Sequence, residues 1–144
     1  IDPALLEIEI TESTMMRDLE VAHDKLKALN DLGVKLAIDD FGMGYSSLSY
    51  LRSLPIHAIK IDRSFVTDIK IGADNTLITA MRLIAKGLKL RLIAEGVETE
   101  EQLAFLKSHH CDECQGYLIS KPLNTVEVTR LMASGRSPLD SVNN

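Results

Sequence analysis

The strongest constraint on the fold is an alternation: short apolar segments of strand length recur along the chain, and a helical pattern fills each gap between them. The strand segments are residues 5–10, 34–39, 58–62, 90–95 and 115–119. Between the first two, Leu19, Ala22, Leu26 and Leu29 recur at spacings of three and four, and Gly33 reads as a helix stop. A short helix over 47–54 is halted by Pro55, and the stretch 75–88 carries Leu77, Met81, Ile84 and Leu88 on one stripe, with Gly87 as a flaw. Thr99 followed by Gln102 has the capping-box pattern, for a helix that buries Leu103 and Leu106. A last helix over 125–132 ends before Gly135. Alternation of this kind builds a parallel sheet flanked by helices.

Length then selects among α/β architectures. The 144 residues hold about five βα units, whereas a closed eight-stranded barrel needs ~250 residues. An open doubly wound sheet usually carries a glycine-rich phosphate loop after its first strand, and none is present. The expectation is therefore part of a (β/α)8 TIM-like barrel. A sheet left open in this way exposes strand edges, so a homodimer or association with the remaining barrel part is expected.

Charge narrows the function classes. With 16 Lys plus Arg against 21 Asp plus Glu, the net charge of -5 leaves no broad basic surface to attract duplex nucleic acid or anionic lipid. No apolar run approaches the ~20 residues of a membrane span and no secretory signal pattern opens the sequence, so a soluble, cytoplasmic protein is expected. Cys111 and Cys114 stand beside His109 and His110. Zinc sites usually draw on two separated ligand pairs and redox pairs usually open a helix, whereas here a strand pattern follows. Reduced thiols are the expectation.

The strands share a feature that packing does not explain. Leu6, Ile8 and Ile10 alternate with Glu7 and Glu9, Ala37 shares a face with Asp39, and Ala58, Lys60 and Asp62 fall together. The fourth segment ends in Glu95 and the fifth opens with Gln115. An unpaired buried carboxylate costs several kcal/mol, and converging ones raise one another's pKa. One lysine cannot neutralise them all, but divalent cations can, and hard oxygen donors suit Mg²⁺ or Mn²⁺. Helix capping or solvation accounts for a single Asp after a strand, not for the whole set with Lys60 and Glu95 among it.

Five motifs occur in order: Glu9-Ile10-Thr11-Glu12-Ser13, the run from Asp39-Asp40-Phe41-Gly42 through Ser47, Ile59-Lys60-Ile61-Asp62, Ala94-Glu95-Gly96-Val97-Glu98-Thr99, and Gln115-Gly116-Tyr117. Together they resemble the EAL-domain family of bacterial cyclic-di-GMP phosphodiesterases, over roughly residues 5–132. The resemblance implies that 1–136 is the C-terminal part of such a domain and 137–144 a disordered tail. It implies hydrolysis of cyclic-di-GMP to linear pGpG at two divalent ions. By motif, Glu9 is similar to a ligand of the first ion, Asp39 to the bridging ligand, and Asp40 and Glu95 to ligands of the second. Lys60 is similar to the lysine that contacts the nucleophilic water, as base or as orienting cation, and orientation is favoured. Gln115 would position water or phosphate, and Thr11 and Asp62 would contact substrate. Glu12 would anchor the loop over 40–47, with Glu98 bracing it. The family more often has Thr where Met43 stands.

The Glu-Ala-Leu signature and the family's metal-binding Asn are absent from the sequence. Both belong to a preceding barrel part, so the 144 residues alone are expected to be inactive. The parent domain would be active, in a protein that an inner-membrane anchor would also suit. The competing readings are a non-catalytic cyclic-di-GMP receptor and an interaction module. Retention of Glu9, Asp39, Asp40, Lys60 and Glu95 favours the hydrolase.

Overall fold

In the computed structural model, which describes residues 1–44, 48–69 and 75–135, all strand pairings are parallel and the spatial order follows the chain. The strands are β1 (Glu7–Thr11), β2 (Lys35–Phe41), β3 (Ala58–Ile61), β4 (Arg91–Ala94) and β5 (Glu113–Cys114), in the order β1-β2-β3-β4-β5. An unreversed parallel order is the topology of a barrel wall. A doubly wound sheet reverses at a switch point.

The helices are α1 (Glu12–Met15), α2 (Leu19–Asp31), α3 (Leu48–Leu51), α4 (Arg63–Thr67), α5 (Thr76–Leu88), α6 (Glu100–Ser108) and α7 (Thr125–Ser134). Asp18 caps α2, which closes through Leu32 into Gly33 at φ +91°. Thr99 and Gln102 form the expected capping box on α6. The expected helix over 47–54 shortens to α3, and its first residue, Ser47, lies outside the described residues, as does 137–144.

Both faces of the sheet matter. Outward residues Leu36, Ile38, Ile59, Ile61 and Leu92 pack with Leu26, Met81, Ala85 and Leu106 from the helices into the main core. The inward face holds only a small cluster of Ala37, Ala58 and Ile93. Beside it, Arg91 pairs with Glu7 of β1 and Glu113 of β5, tying the first strand of the arc to its last.

Two further expectations change, and two features fall outside the sequence reading. The stretch 115–119 is not a strand: β5 ends at Cys114 and the chain turns, with Ile119 and Ser120 N–H groups both donating to Gly116 O. The turn is forced by packing, since a Cβ on Gly116 would lie 2.2 Å from the Val97 backbone. On α5 the buried stripe is Ile78, Met81 and Ala85, one residue out of phase with Leu77, which is exposed. The outer face of β1 is only partly covered, with Leu6 and Ile8 exposed and Ile10 packed on the core. Finally, α1 and α4 are single turns whose patterns are too short to read from periodicity.

Candidate active site

At the carboxyl ends of the strands Lys60 is the centre of charge. The alternation of β3 turns it inward between Ile59 and Ile61, and it is only 3 % exposed. Its Nζ lies 2.7 Å from Glu9 Oε2, 2.5 Å from Glu95 Oε1 and 3.5 Å from Asp39 Oδ1. Burial alone would push the ammonium pKa down, but the hydrogen bonds to Glu9 and Glu95 and the charge of Asp39 outweigh it and raise it. Three strands and the turn after β4 thus deliver one cation and three anions to a single point.

Adjacent residues on a regular strand point to opposite faces, yet Asp39 and Asp40 are both at this rim. The register explains it: Ile38 pairs with Ile59 and Phe41 with Ile61, so two aspartates oppose the single residue Lys60. This is a β-bulge, and Asp40 absorbs it at φ +54°, in the left-handed region that Asp tolerates better than most residues. Burial first, then the charges of Asp39 and Asp62, push the Asp40 carboxyl pKa up. Bulges of this kind re-aim side chains beside active sites at a cost in backbone strain.

Glu12, on the turn after β1, is 2 % exposed and accepts the Gly42 N–H with Oε2 at 3.1 Å. Gly42 sits at φ +99°, and a Cβ there would lie 2.3 Å from Met81 Cε. A Cβ on Gly44 would lie 2.7 Å from Glu12 Oε1. Gly42 and Gly44 thus lie close against the Glu12 carboxylate. Residues 45–47 of the same loop lie outside the described residues. Met43 Sδ accepts a contact from Ser64 Oγ at 3.7 Å.

The remaining residues are more dispersed. Thr11 Oγ1 caps α1, accepting from Thr14 N at 3.3 Å and donating to Thr14 Oγ1 at 2.8 Å. Asp62 caps α4 through Ser64 N (2.9 Å) and Ser64 Oγ (2.5 Å), contacts that hold its carboxyl pKa down. Gln115 is exposed just beyond β5, its N–H donating to Ala94 O and its carbonyl accepting from Val97 N. Glu98 is exposed before α6, where its backbone N–H donates to Gln102 Oε1 at 2.8 Å. A cavity of about 360 Å³ runs from Glu9 and Lys60 to Gln115. Its wall includes Glu7 and Cys114, which the sequence reading gave no site role, and Glu113, which it did not single out. Period-two alternation back from Gln115 would have found Glu113.

Divalent ions suit this rim by donor chemistry. Glu9, Asp39, Asp40 and Glu95 offer hard oxygens, and Asp39 Oδ1 is buried without a hydrogen-bond partner. Among the described residues no three acidic, His or Cys side chains are placed to hold one ion as they stand; Glu9, Asp39 and Glu95 close on the Lys60 ammonium instead.

Comparison with known proteins follows the same outline. The EAL domain family model matches residues 1–122. The cyclic di-GMP phosphodiesterase NbdA of Pseudomonas aeruginosa is 46% identical over 143 residues, 96% of this chain but 18% of the relative. Among solved structures, the PaMucR phosphodiesterase in its c-di-GMP complex superposes with a TM-score of 0.84 at 41% identity, over 89% of this chain and 52% of that one. Klebsiella pneumoniae BlrP1, in a manganese and cyclic-di-GMP complex, gives a TM-score of 0.77 at 37% identity, over 85% of this chain and 31% of that one. The chain therefore spans under a fifth of the curated relative and about half of the PaMucR chain. From the ordered motifs, the parallel arc with its inward acids and these matches, the chain belongs to the EAL domain family, as a five-stranded part of its TIM-type barrel.

Proposed function

We propose that this chain contributes the Lys60 rim to a domain that hydrolyses cyclic-di-GMP to linear pGpG. The observation that carries the reading is the convergence of Glu9, Asp39 and Glu95 on one buried lysine, with the bulge bringing Asp40 alongside. Cyclic-di-GMP is the proposed substrate because the PaMucR and BlrP1 structures were solved with it and the proposed reaction is the one in NbdA's name.

Glu9, Asp39, Asp40 and Glu95 would hold two divalent ions, Mg²⁺ or Mn²⁺, with Asp39 shared between them. When bound, the ions supply a water of lowered pKa and neutralise charge on the phosphate oxygens. Lys60 carries three N–H donors and orients the attacking water from the floor of the mouth. Gln115 presents an amide at the rim to water or phosphate. Thr11 and Asp62 border the substrate from positions fixed by their helix caps. Glu12, with Glu98 beside α6, steadies the loop that begins at Asp40. The 144 residues on their own are proposed to be inactive, because the Glu-Ala-Leu segment and the family's metal-binding Asn are not among them. Association with the rest of the barrel, or with a second copy, would cover the open edges. Assaying the whole domain and the 144 residues alone in Mn²⁺ tests this. Release of pGpG by the whole domain only is expected, whereas tight binding without hydrolysis by the whole domain would make it a receptor.

A further inference from the structure

Among the described residues, the cysteine pair is a chemically reactive cluster that this function leaves unused. Cys111 follows α6, its N–H donating to Leu106 O, and its Sγ donates to Leu92 O at 3.3 Å and to Glu113 O at 3.2 Å. Glu113 O belongs to the peptide that leads into Cys114, so the Cys111 sulfur lies against the backbone of its partner. Cys114 pairs with Ala94 and lines the same cavity as Lys60 and Gln115. Both thiols are free and only partly buried.

A zinc site is not what the geometry offers. His109 is stacked on Phe105 with centroids 4.0 Å apart, and its Nδ1 lies 3.0 Å from both Phe105 O and Ser108 Oγ. Among the described residues no third ligand joins the cysteines. The neighbouring Cys111 thiol, then the charge of Lys107, holds Cys114 below the usual thiol value, while Cys114 and burial push Cys111 up. Cys114 is the better nucleophile of the two.

We propose that Cys111 and Cys114 are a reversible peroxide-oxidised dithiol whose disulfide displaces Gln115 and slows turnover; the second half rests on the phosphodiesterase reading. The Cys114 thiolate attacks hydrogen peroxide, the O–O bond breaks, and water leaves after protonation of the departing hydroxide, giving a sulfenic acid. The Cys111 sulfur then attacks the Cys114 sulfur, the S–O bond breaks, and a second water leaves carrying the Cys111 proton. Two electrons pass from the thiols to peroxide, and a thiol reductant reverses the bond by exchange. The S–S bond takes Cys111 Sγ from Leu92 O and Glu113 O. β5 has only two residues to resist the shift, and Gln115 is the next residue in the chain.

The test treats the whole domain with hydrogen peroxide, removes the excess, and measures intact mass and cyclic-di-GMP turnover before and after dithiothreitol. The expected result is loss of two hydrogens, protection of both cysteines from alkylation, and a kcat lowered at least about tenfold, all restored by reductant. Cys111→Ser should turn over normally before peroxide and then stop at the Cys114 sulfenic acid, a gain of one oxygen with no disulfide, while Cys114→Ser should keep its own untreated rate after peroxide. Sulfinic acid or two alkylatable thiols after peroxide overturns the dithiol, and a disulfide without a change in kcat overturns its coupling to Gln115. Failure of the reduced domain to hydrolyse at all overturns the phosphodiesterase reading instead, while the mass result still decides the disulfide.

Discussion

Glu12 Oε2 accepts the Gly42 N–H at 3.1 Å, tying the turn after β1 to the loop after β2 across thirty residues of chain. The packing is close enough that Gly44→Ala must displace the Glu12 carboxylate, which a Cβ would approach to 2.7 Å. The variant should lose about 1–3 kcal/mol in urea unfolding. Gly87→Ala, in α5 with nothing within 4 Å of the added Cβ, should gain about 0.5–1 kcal/mol. Equal effects from the two substitutions would mean that the Glu12 contact is not tight.

Asp40 trades stability for position. Its carboxylate is disfavoured as an anion by burial and by Asp39 and Asp62, and Asn tolerates the same left-handed backbone. Asp40→Asn should therefore be no less stable than the parent at neutral pH while turnover by the whole domain falls sharply. Asp40→Val, equally without charge but β-branched at φ +54°, should be less stable than Asp40→Asn. Calorimetric unfolding of the two variants side by side decides this.

His57 sets an acid limit. Leu36 N–H donates to its Nδ1 at 3.1 Å, which requires a lone pair there. Burial, then the charges of Lys35 and Arg91, push the imidazole below its ordinary value. A folded state that resists protonation binds fewer protons than the unfolded chain, so this contribution is fully present above about pH 6.5 and is lost as the pH falls through the lower folded value. Unfolding midpoints measured from pH 7.5 down to 5 should drop in the parent and drop less in His57→Gln. Parallel curves would remove His57 from the account.

The legible part of this molecule is what alternation controls. Glu9, Lys60 and Glu95 come to one rim because period-two spacing and strand ends put them there, and β-strand order follows from the repeated βα pattern. The bulge is invisible because Asp39-Asp40-Phe41 carries no glycine or proline to announce it. The run 115–119 reads as a strand, yet Gly116 has to lie flat against Val97, a contact made by residues far apart in the chain. Thr11 and Asp62 cap helices of four and five residues, shorter than any apolar period can reveal. A stripe counted from Leu77 instead of Ile78 shows how one residue of phase changes which side chain is buried.

Removing the central cation should also expose the charge problem it solves. Lys60→Met leaves Glu9, Asp39 and Glu95 facing one another. Because Glu9 is half exposed, the loss should be about 1–3 kcal/mol rather than the ~3–5 of a fully buried pair. Millimolar Mn²⁺ should recover part of it, read as a rise in unfolding midpoint. A midpoint indifferent to the ion would argue against metal binding by these carboxylates.

The most direct measurement is steady-state cyclic-di-GMP hydrolysis by the whole domain, parent against Lys60→Ala, in Mn²⁺ and separately in Ca²⁺. The account predicts pGpG release by the parent in Mn²⁺, much weaker release in Ca²⁺, and a Lys60→Ala rate at least about a hundredfold lower with substrate binding retained. A Lys60→Ala domain that hydrolyses within a few-fold of the parent would contradict it.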